Sequence, residues 1–196
     1  MTAVTSTTLA LKEWGAVAHA LLDGRQTLLL RKGGIHERAF DAGAAGAPGG
    51  FVVFPTVAHS HAERVRAEHV DVLTAGAADV DEDEAVTVRC GVRLVEAVPV
   101  ARPERLPDLT DLHIWTDRSV REDRVEFRPK QPLSALVVEA VALPEPVRLE
   151  RRAEHGGCRS WLELPPLWDG VTGVAVHGRE RLAADAARVR ATVGSR

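Results

Sequence analysis

The stretch "LSALVVEAVAL", residues 133–143, decides the fold. Only Ser134 and Glu139 interrupt a run of apolar residues. A strand whose side chains are apolar on both pleated faces must be covered on both sides, so this segment predicts a central strand of a sheet. Glu139 is embedded in that strand.

Other strands are predicted on both sides of this segment. "AVTVRCGVRLVEAV", residues 85–98, alternates apolar and polar positions, with Arg89 and Arg93 on the polar face. "RQTLLLRK", residues 25–32, predicts a strand that is buried on both faces in its middle, and "FVVFP", residues 51–55, predicts a short strand ended by its proline. "PVRLERR", residues 146–152, is a candidate for one more.

Four segments are predicted as helices. Apolar spacing from Leu9 to Leu22 favours a helix, and the remaining three are 61–73, 108–120 capped by Asp108 or Thr110, and 178–193. Residues 156–170 are predicted as a turn region. Since strands and helices alternate without a regular βαβ rhythm, the predicted fold class is mixed α/β of the α+β kind, a single domain with a central mixed sheet and flanking helices.

The length of 196 residues fits one domain. Residues 1–8 are predicted to be a disordered terminus, and 9–196 a single globular domain with a flexible Gly/Ala-rich loop at 41–50, "DAGAAGAPGG". A net charge of -3 excludes a uniformly basic nucleic-acid binder. Cys90 and Cys158 are interpreted as reduced thiols, and no signal peptide or membrane span is evident. We therefore expect a cytoplasmic protein without a membrane partner.

Lysine is rare in this chain, which has three lysines in a total of 25 basic residues. Such a bias is typical of a genome rich in G and C, where arginine replaces lysine wherever either residue serves. Lys12, Lys32 and Lys130 then mark positions that need a compact, hydrated ammonium group. The alternative is that these three lysines are accidental.

The first candidate site is Arg31-Lys32-Gly33-Gly34, at the end of the 25–32 strand. Glycine accepts positive φ, and successive amides in such a turn form a nest for a phosphate or carboxylate, to which two cations add attraction. The alternative is an ordinary strand-ending turn with solvated cations.

The second candidate site is "EFRPKQP", residues 126–132, just before the central strand. Pro129 and Pro132 stiffen the segment and fix the directions of Arg128 and Lys130. The alternative is a proline-started strand whose cations face water. Convergence of Lys130 with Lys32 would favour an anion site over both alternatives.

Acid–base candidates are few. Glu13 lies at the border of the first apolar stripe, where it reaches either a cleft or a neighbouring arginine, and His113 qualifies if a substrate lies within hydrogen-bond reach. His59 and His61 lack a third ligand at metal-site spacing, so no metal and no cofactor is predicted.

Two enzyme templates were tested against the sequence. A restriction-type phosphodiesterase needs a carboxylate two residues before a lysine, and none of the three lysines has one. A Nudix-type hydrolase needs an Arg-Glu pair followed by adjacent glutamates, whereas the corresponding segment offers only Glu63 and Glu68. Both templates are disfavoured.

Four ordered segments carry a family resemblance: "LKEWGAVAHALLDGRQTLLLRKGGI" (11–35), "FVVFPTVAHSH" (51–61), "FRPKQPLSALVVEAVALP" (127–144) and "GGCRSWLEL" (156–164). In these the chain resembles the bacterial DUF1802 family. The resemblance implies an intracellular bacterial protein and carries over no activity. Its motif residues here are Glu13, Arg31, Lys32, Gly33, Phe54, Pro55, Lys130, Pro132, Ser160 and Trp161. All three lysines fall inside the matching motifs.

The leading functional hypothesis is binding, with or without hydrolysis, of a phosphorylated small molecule or a nucleic acid. Positive charge comes from Arg31, Lys32, Arg128 and Lys130, and the amides of Gly33 and Gly34 add donors. The alternative is a non-catalytic interaction or scaffold protein. The sequence leaves open whether the protein is an enzyme, which ligand it takes and its oligomeric state.

Overall fold

A computed structural model describes residues 7–32, 50–57, 61–81, 85–157 and 160–195. Within these ranges the strands are β1 (Thr8–Trp14), β2 (Leu28–Lys32), β3 (Gly50–Thr56), β4 (Ala85–Pro99), β5 (Leu133–Glu150), β6 (Trp161–Leu164) and β7 (Val174–Ala175). The helices are α1 (Gly15–Leu22), α2 (Asp71–Ala77), α3 (Asp117–Val120) and α4 (Arg179–Val193). A π-helical turn, Arg121–Val125, continues α3.

The strands form one mixed sheet in the order β2-β5-β4-β3-β1-β6, with β7 paired to β5. Only β1 and β3 are parallel, and every other described pair is antiparallel. The predicted α+β fold class, a central mixed sheet with flanking helices, is confirmed. The segment 133–143 lies in β5 and is paired on both sides, as its apolar run predicts.

Apolar side chains cover both faces of the sheet. The larger cluster lies against α1 and α4 and includes Leu11, Val17 and Val189. The smaller one, on the opposite face, contains Val52 and Phe54. Burying the two faces removes most of the large aliphatic side chains from water, which is the main driving force for folding.

The long β4–β5 ladder is interrupted between Val88 and Cys90 of β4. Val88 pairs with Val147 and Cys90 pairs with Ala142, so β5 carries extra residues at this register shift. Pro144 and Pro146 fall inside the insertion. Proline has no N–H to contribute to a ladder, which explains why the bulge forms here.

The first predicted helix is wrong in its N-terminal half. Thr8–Trp14 is a strand, held by parallel pairing to β3 and antiparallel pairing to β6, and the helix starts at Gly15. β1 is buried on both faces, so Leu9, Leu11 and Trp14 mimic helical spacing when they are read together with α1. The sequence has no glycine or proline before Trp14 to mark the change.

The predicted helix over 61–73 is also wrong for most of its length. Two short 3-10 turns, Ala62–Arg64 and Ala67–His69, precede α2. The backbone at Val65 pairs with Trp115, and Arg66 N donates to Ile114 O at 2.9 Å. Pairing with a distant segment therefore replaces the local hydrogen bonds of a helix.

Two further elements differ from prediction. Residues Pro103–Leu112 form a 3-10 helix, and α3 is capped by Thr116, whose side chain accepts from Ser119 N, instead of by Asp108 or Thr110. The supposed turn region contains strand β6. The strand proposed at 146–152 is the end of β5. The predictions of β2, β3, β4 and α4 are confirmed.

Several predictions lie outside the described residues. They concern residues 1–6 of the terminus, the loop from 41 to 49, the glycine pair Gly33-Gly34, His59 and Cys158. Cys90 is a buried free thiol, and its burial raises the pKa of the thiol to about 12. None of the described helices is both long and apolar enough to cross a membrane.

Candidate functional site

The pairing of β2 with β5 brings the two predicted cationic segments together. In this antiparallel register Arg31 is opposite Ser134 and Lys32 is opposite Leu133, so the end of β2 meets the start of β5. The Lys32 ammonium donates to the carbonyl of Gln131 at 3.1 Å and to that of Val125 at 3.2 Å. Lys32 therefore spans both ends of the 126–132 segment, and one of its three N–H groups has no bond among the described residues.

The 126–132 segment is a fixed surface turn. Gln131 N donates to the Arg128 carbonyl at 2.9 Å, which closes the turn. Arg128 has φ of 47°, a left-handed conformation that is uncommon for residues other than glycine. Its guanidinium lies 5.1 Å from the ring centroid of Phe127, and the side chains of Phe127, Arg128 and Lys130 are all exposed.

Three cations in the stretch 121–132 form no ion pair among the described residues. Every carboxylate there has an ion-pair partner: Glu122 with Arg118, Asp123 with Arg64, and Glu126 with Arg121. In contrast, no carboxylate of the described residues forms an ion pair with Arg124, Arg128 or Lys130. We call these three residues the cationic turn.

Arg124 is the most deeply set member of the cationic turn. Its guanidinium carbon lies 5.3 Å from the ring centroid of Trp115, a cation–π contact. Nε is buried without a hydrogen-bond partner among the described residues, and Nη1 donates only to the neighbouring Asp123 carbonyl at 3.3 Å. Burial lowers the pKa of Arg124, against the opposing charge of Glu13.

Glu13 and Arg31 form an ion pair beside Arg124. Arg31 Nη1 lies 3.3 Å from Glu13 Oε2, and the other carboxylate oxygen accepts from Trp14 N at 3.0 Å. Glu13 is 5% exposed. Its carboxylate is therefore bonded within the protein, the arrangement that the sequence offered as the alternative to a catalytic one.

His113 is enclosed by the fold. It is 1% exposed, and its ring lies 5.3 Å from that of Trp115. Burial, assisted by the charge of Arg66, lowers the pKa of His113 to about 3, so the imidazole is neutral at pH 7. Its Nδ1 has no partner among the described residues.

The structure thus places Lys32 against the segment that carries Arg128 and Lys130, while the neighbouring Arg31 bonds to Glu13. Lys12 bonds elsewhere: its ammonium donates to the carbonyls of Gly156 and Gly157 at 3.2 and 2.9 Å. Arg124 and Phe127 were missed in the sequence. The exposed Phe127 between charged neighbours is a signal that could have been read, whereas the unpaired state of Arg124 depends on tertiary contacts.

The fold is an α+β domain with a mixed sheet, and the segment before its central strand carries three cations that have no ion-pair partner within the described ranges. The chain belongs to the family described as "Domain of unknown function (DUF1802)", whose model matches residues 10–188. The resemblance seen in the four motifs is thereby confirmed. A similar solved structure is that of ASCH from Zymomonas mobilis, with 12% identity, a TM-score of 0.43, and coverage of 93% of this chain and 94% of that chain. No curated protein matches the chain.

Proposed function

We propose that this protein binds a phosphate-bearing ligand at the cationic turn. The supporting observation is the charge pairing of residues 121–132, where each carboxylate has a partner, whereas Arg124, Arg128 and Lys130 form no ion pair with any residue that the structure describes. Arg124 lies in the π-helical turn that leads into the 126–132 segment, and Arg128 and Lys130 are exposed on that segment, so the cationic turn offers one partly buried and two exposed positive groups to an anion. A phosphate group, with several acceptor oxygens, can accept hydrogen bonds from more than one of these cations.

Arg124 is suited to anion recognition. A partly desolvated guanidinium without a carboxylate partner is energetically costly, and an anionic ligand supplies the missing charge. Guanidinium presents its donors in a planar fork that matches phosphate geometry. Trp115 supports the side chain from one face and limits its movement, so little side-chain entropy is lost on binding.

Lys32 and Arg31 contribute differently from the cationic turn. Lys32 holds the backbone of the turn and adds positive charge behind it. Arg31 is bonded to Glu13, so the net charge that this pair adds is small. Gly33 and Gly34, which the sequence predicts as part of the same site, lie outside the described residues. The binding proposal needs neither Glu13, which is bonded within the protein, nor His113, which is enclosed by the fold.

The proposal is tested with inorganic tripolyphosphate and ATP as probes, in thermal-shift and tryptophan-fluorescence titrations at two salt concentrations. Trp115 contacts Arg124 and therefore reports on the site. We expect salt-sensitive stabilisation and a change of fluorescence. The double variant Arg124→Gln/Lys130→Gln should lose about tenfold or more in affinity, because each charge-assisted contact contributes roughly 1–3 kcal/mol.

Arg105→Gln is the matched control. Arg105 is an exposed arginine paired with Asp108, so the substitution removes one positive charge away from the cationic turn. It should leave affinity within about twofold of the parent, since exposed pairs contribute little. Two results would contradict the proposal and favour a scaffold role. One is an equal loss of phosphate affinity in Arg124→Gln/Lys130→Gln and in Arg105→Gln, and the other is no response of the parent to any phosphate compound.

A further inference from the structure

Phe127 is a large aromatic side chain on the surface of the turn. It is 51% exposed, whereas the other exposed large hydrophobic side chains among the described residues are all valines. An exposed aromatic ring beside cations combines a stacking face with donors for phosphate, the combination that single-strand binding surfaces use. Burial energy alone gives no reason for a phenylalanine here.

The ring is also held in place. The turn that follows it is closed by the bond from Gln131 N to the Arg128 carbonyl, and Lys32 fastens the segment at Val125 and Gln131. Arg128 adopts its positive φ within this turn and places its guanidinium over the ring of Phe127. A non-glycine residue held in this conformation is a mark of functional sites, where surrounding contacts offset the strain.

We propose that Phe127 stacks on a base of a single-stranded polynucleotide, while Arg128 and Lys130 contact its backbone phosphates. The inference rests on the proposed phosphate-binding function and names the ligand class for the same site. Aromatic rings interleaved with cations are the usual means of binding unpaired strands, since every base has a π-face and every nucleotide a phosphate. A planar guanidinium next to the ring offers a second stacking surface.

A double-stranded ligand fits this arrangement less well. In a duplex the faces of the bases are covered by their neighbours, so Phe127 could stack only at an end or after a base has been unstacked. Polyphosphate can bind to the cations, but it has no base that could stack on the ring of Phe127. The contribution of Phe127 therefore separates the three kinds of polyanion.

The experiment uses the full chain and fluorescence anisotropy with a labelled 12-nucleotide oligo(U) and oligo(dT). The same strands annealed to their complements, and inorganic polyphosphate as competitor, complete the set. The variants are Phe127→Ala and Phe127→Trp, the latter keeping an aromatic face. We expect Phe127→Ala to weaken single-strand binding about tenfold, as loss of one stacked base does, with Phe127→Trp near the parent. Competition by polyphosphate should change less than twofold.

The outcomes distinguish the two proposals. If polyphosphate binds and depends on Arg124 and Lys130, but Phe127→Ala leaves oligonucleotide affinity unchanged, the stacking inference is overturned and phosphate binding stands. Equal affinity for single strands and duplexes overturns it as well. If no polyanion binds, the proposed function itself fails. Because Phe127 is exposed, its replacement should leave the melting temperature unchanged, which a thermal melt of each variant verifies.

Discussion

Glu13 and Arg31 are 3.3 Å apart although their strands, β1 and β2, stand four positions apart in the sheet. Four inter-strand spacings amount to about 19 Å in a flat sheet, farther than these two side chains reach. The sheet must therefore be strongly curved, so that its first and fifth strands face each other. The ion pair closes the opening between them, next to Arg124.

Replacing Glu13 by glutamine should have opposite effects on stability and on anion binding. The substitution removes the carboxylate bonded to Arg31 and one of the two that act on Arg124, the other being Asp123, so we expect the free energy of unfolding to fall by about 1–3 kcal/mol. Anion affinity should rise, because a competing negative charge is removed. Urea denaturation measures the first effect and tripolyphosphate titration the second. Glu68→Gln, which removes the exposed carboxylate paired with Arg66, is the control and should leave stability nearly unchanged.

Lys32 and Lys130 should behave differently when each is replaced by methionine. Lys32→Met loses two hydrogen bonds to backbone carbonyls, and we expect a loss of about 1–2 kcal/mol in stability. Hydrogen exchange at the Gln131 amide should also become faster, because the turn is released. Lys130 is exposed, so Lys130→Met should leave stability unchanged and weaken only ligand binding. Identical profiles for the two variants would show that Lys32 does not organise the turn.

Asp79 should make stability depend on pH in the acid range. This 2% exposed carboxylate lies 2.8 Å from His19 Nε2 and accepts two bonds from Arg89 Nε at 2.9 and 3.0 Å. Burial alone raises the pKa of Asp79, but the hydrogen bonds from His19 and Arg89 outweigh it and the pKa is lowered. The folded state then binds this proton more weakly than the unfolded chain. Its contribution to stability is present above about pH 4, the unfolded value, and is lost as the pH falls through the lower folded pKa.

Denaturation of Asp79→Asn at several pH values checks this. At pH 7 we expect a loss of about 2–4 kcal/mol, because Arg89 loses its buried partner. The difference from the parent should shrink toward pH 3. Asp108→Asn, at an exposed pair with Arg105, serves for comparison and should show neither effect. A pH-independent difference for Asp79→Asn would indicate a purely steric role.

Gly76 should resist replacement by alanine. At an exposed helical position, Gly→Ala usually stabilises by up to about 1 kcal/mol, but Gly76 lies buried in the last turn of α2. Here a methyl group would collide with the backbone of Gly15 and Ala16, where α1 and α2 cross. We expect Gly76→Ala to destabilise by about 2 kcal/mol or more, since neither backbone can move aside easily. Gly178→Ala, whose added carbon has no neighbour within 4 Å, should cost less than Gly76→Ala in the same thermal and urea measurements, since only the N-cap preference of α4 opposes it.

The longest strands could be predicted from the sequence because their apolar pattern repeats over many residues. β4 and β5 are of this kind, as is the amphipathic α4. Strand β1 could not be predicted, because its pairing with β3 and β6 depends on distant segments and the spacing of its apolar residues continues into α1. The 3-10 turns near Val65 likewise follow from a bridge to Trp115, about which the local sequence says nothing.

The candidate site was predictable only in part. The lysine bias and the proline-bounded segment identified Lys32, Arg128 and Lys130, and the β2–β5 register explains why Lys32 reaches that segment. Arg124 could not be found, because the sequence has 22 arginines and only tertiary contacts show which of them form ion pairs. The position of Glu13 beside an apolar stripe could not decide between a structural and a catalytic role.

The two prolines at the bulge of β5 have a consequence for self-association. Beyond Ala142, the side of β5 that faces away from β4 has no partner among the described strands. An extended strand with free amides on an open side can template pairing with a second molecule, as in amyloid growth. Pro144 and Pro146 remove two of those amides, so this margin of the sheet is a poor template for intermolecular strand addition.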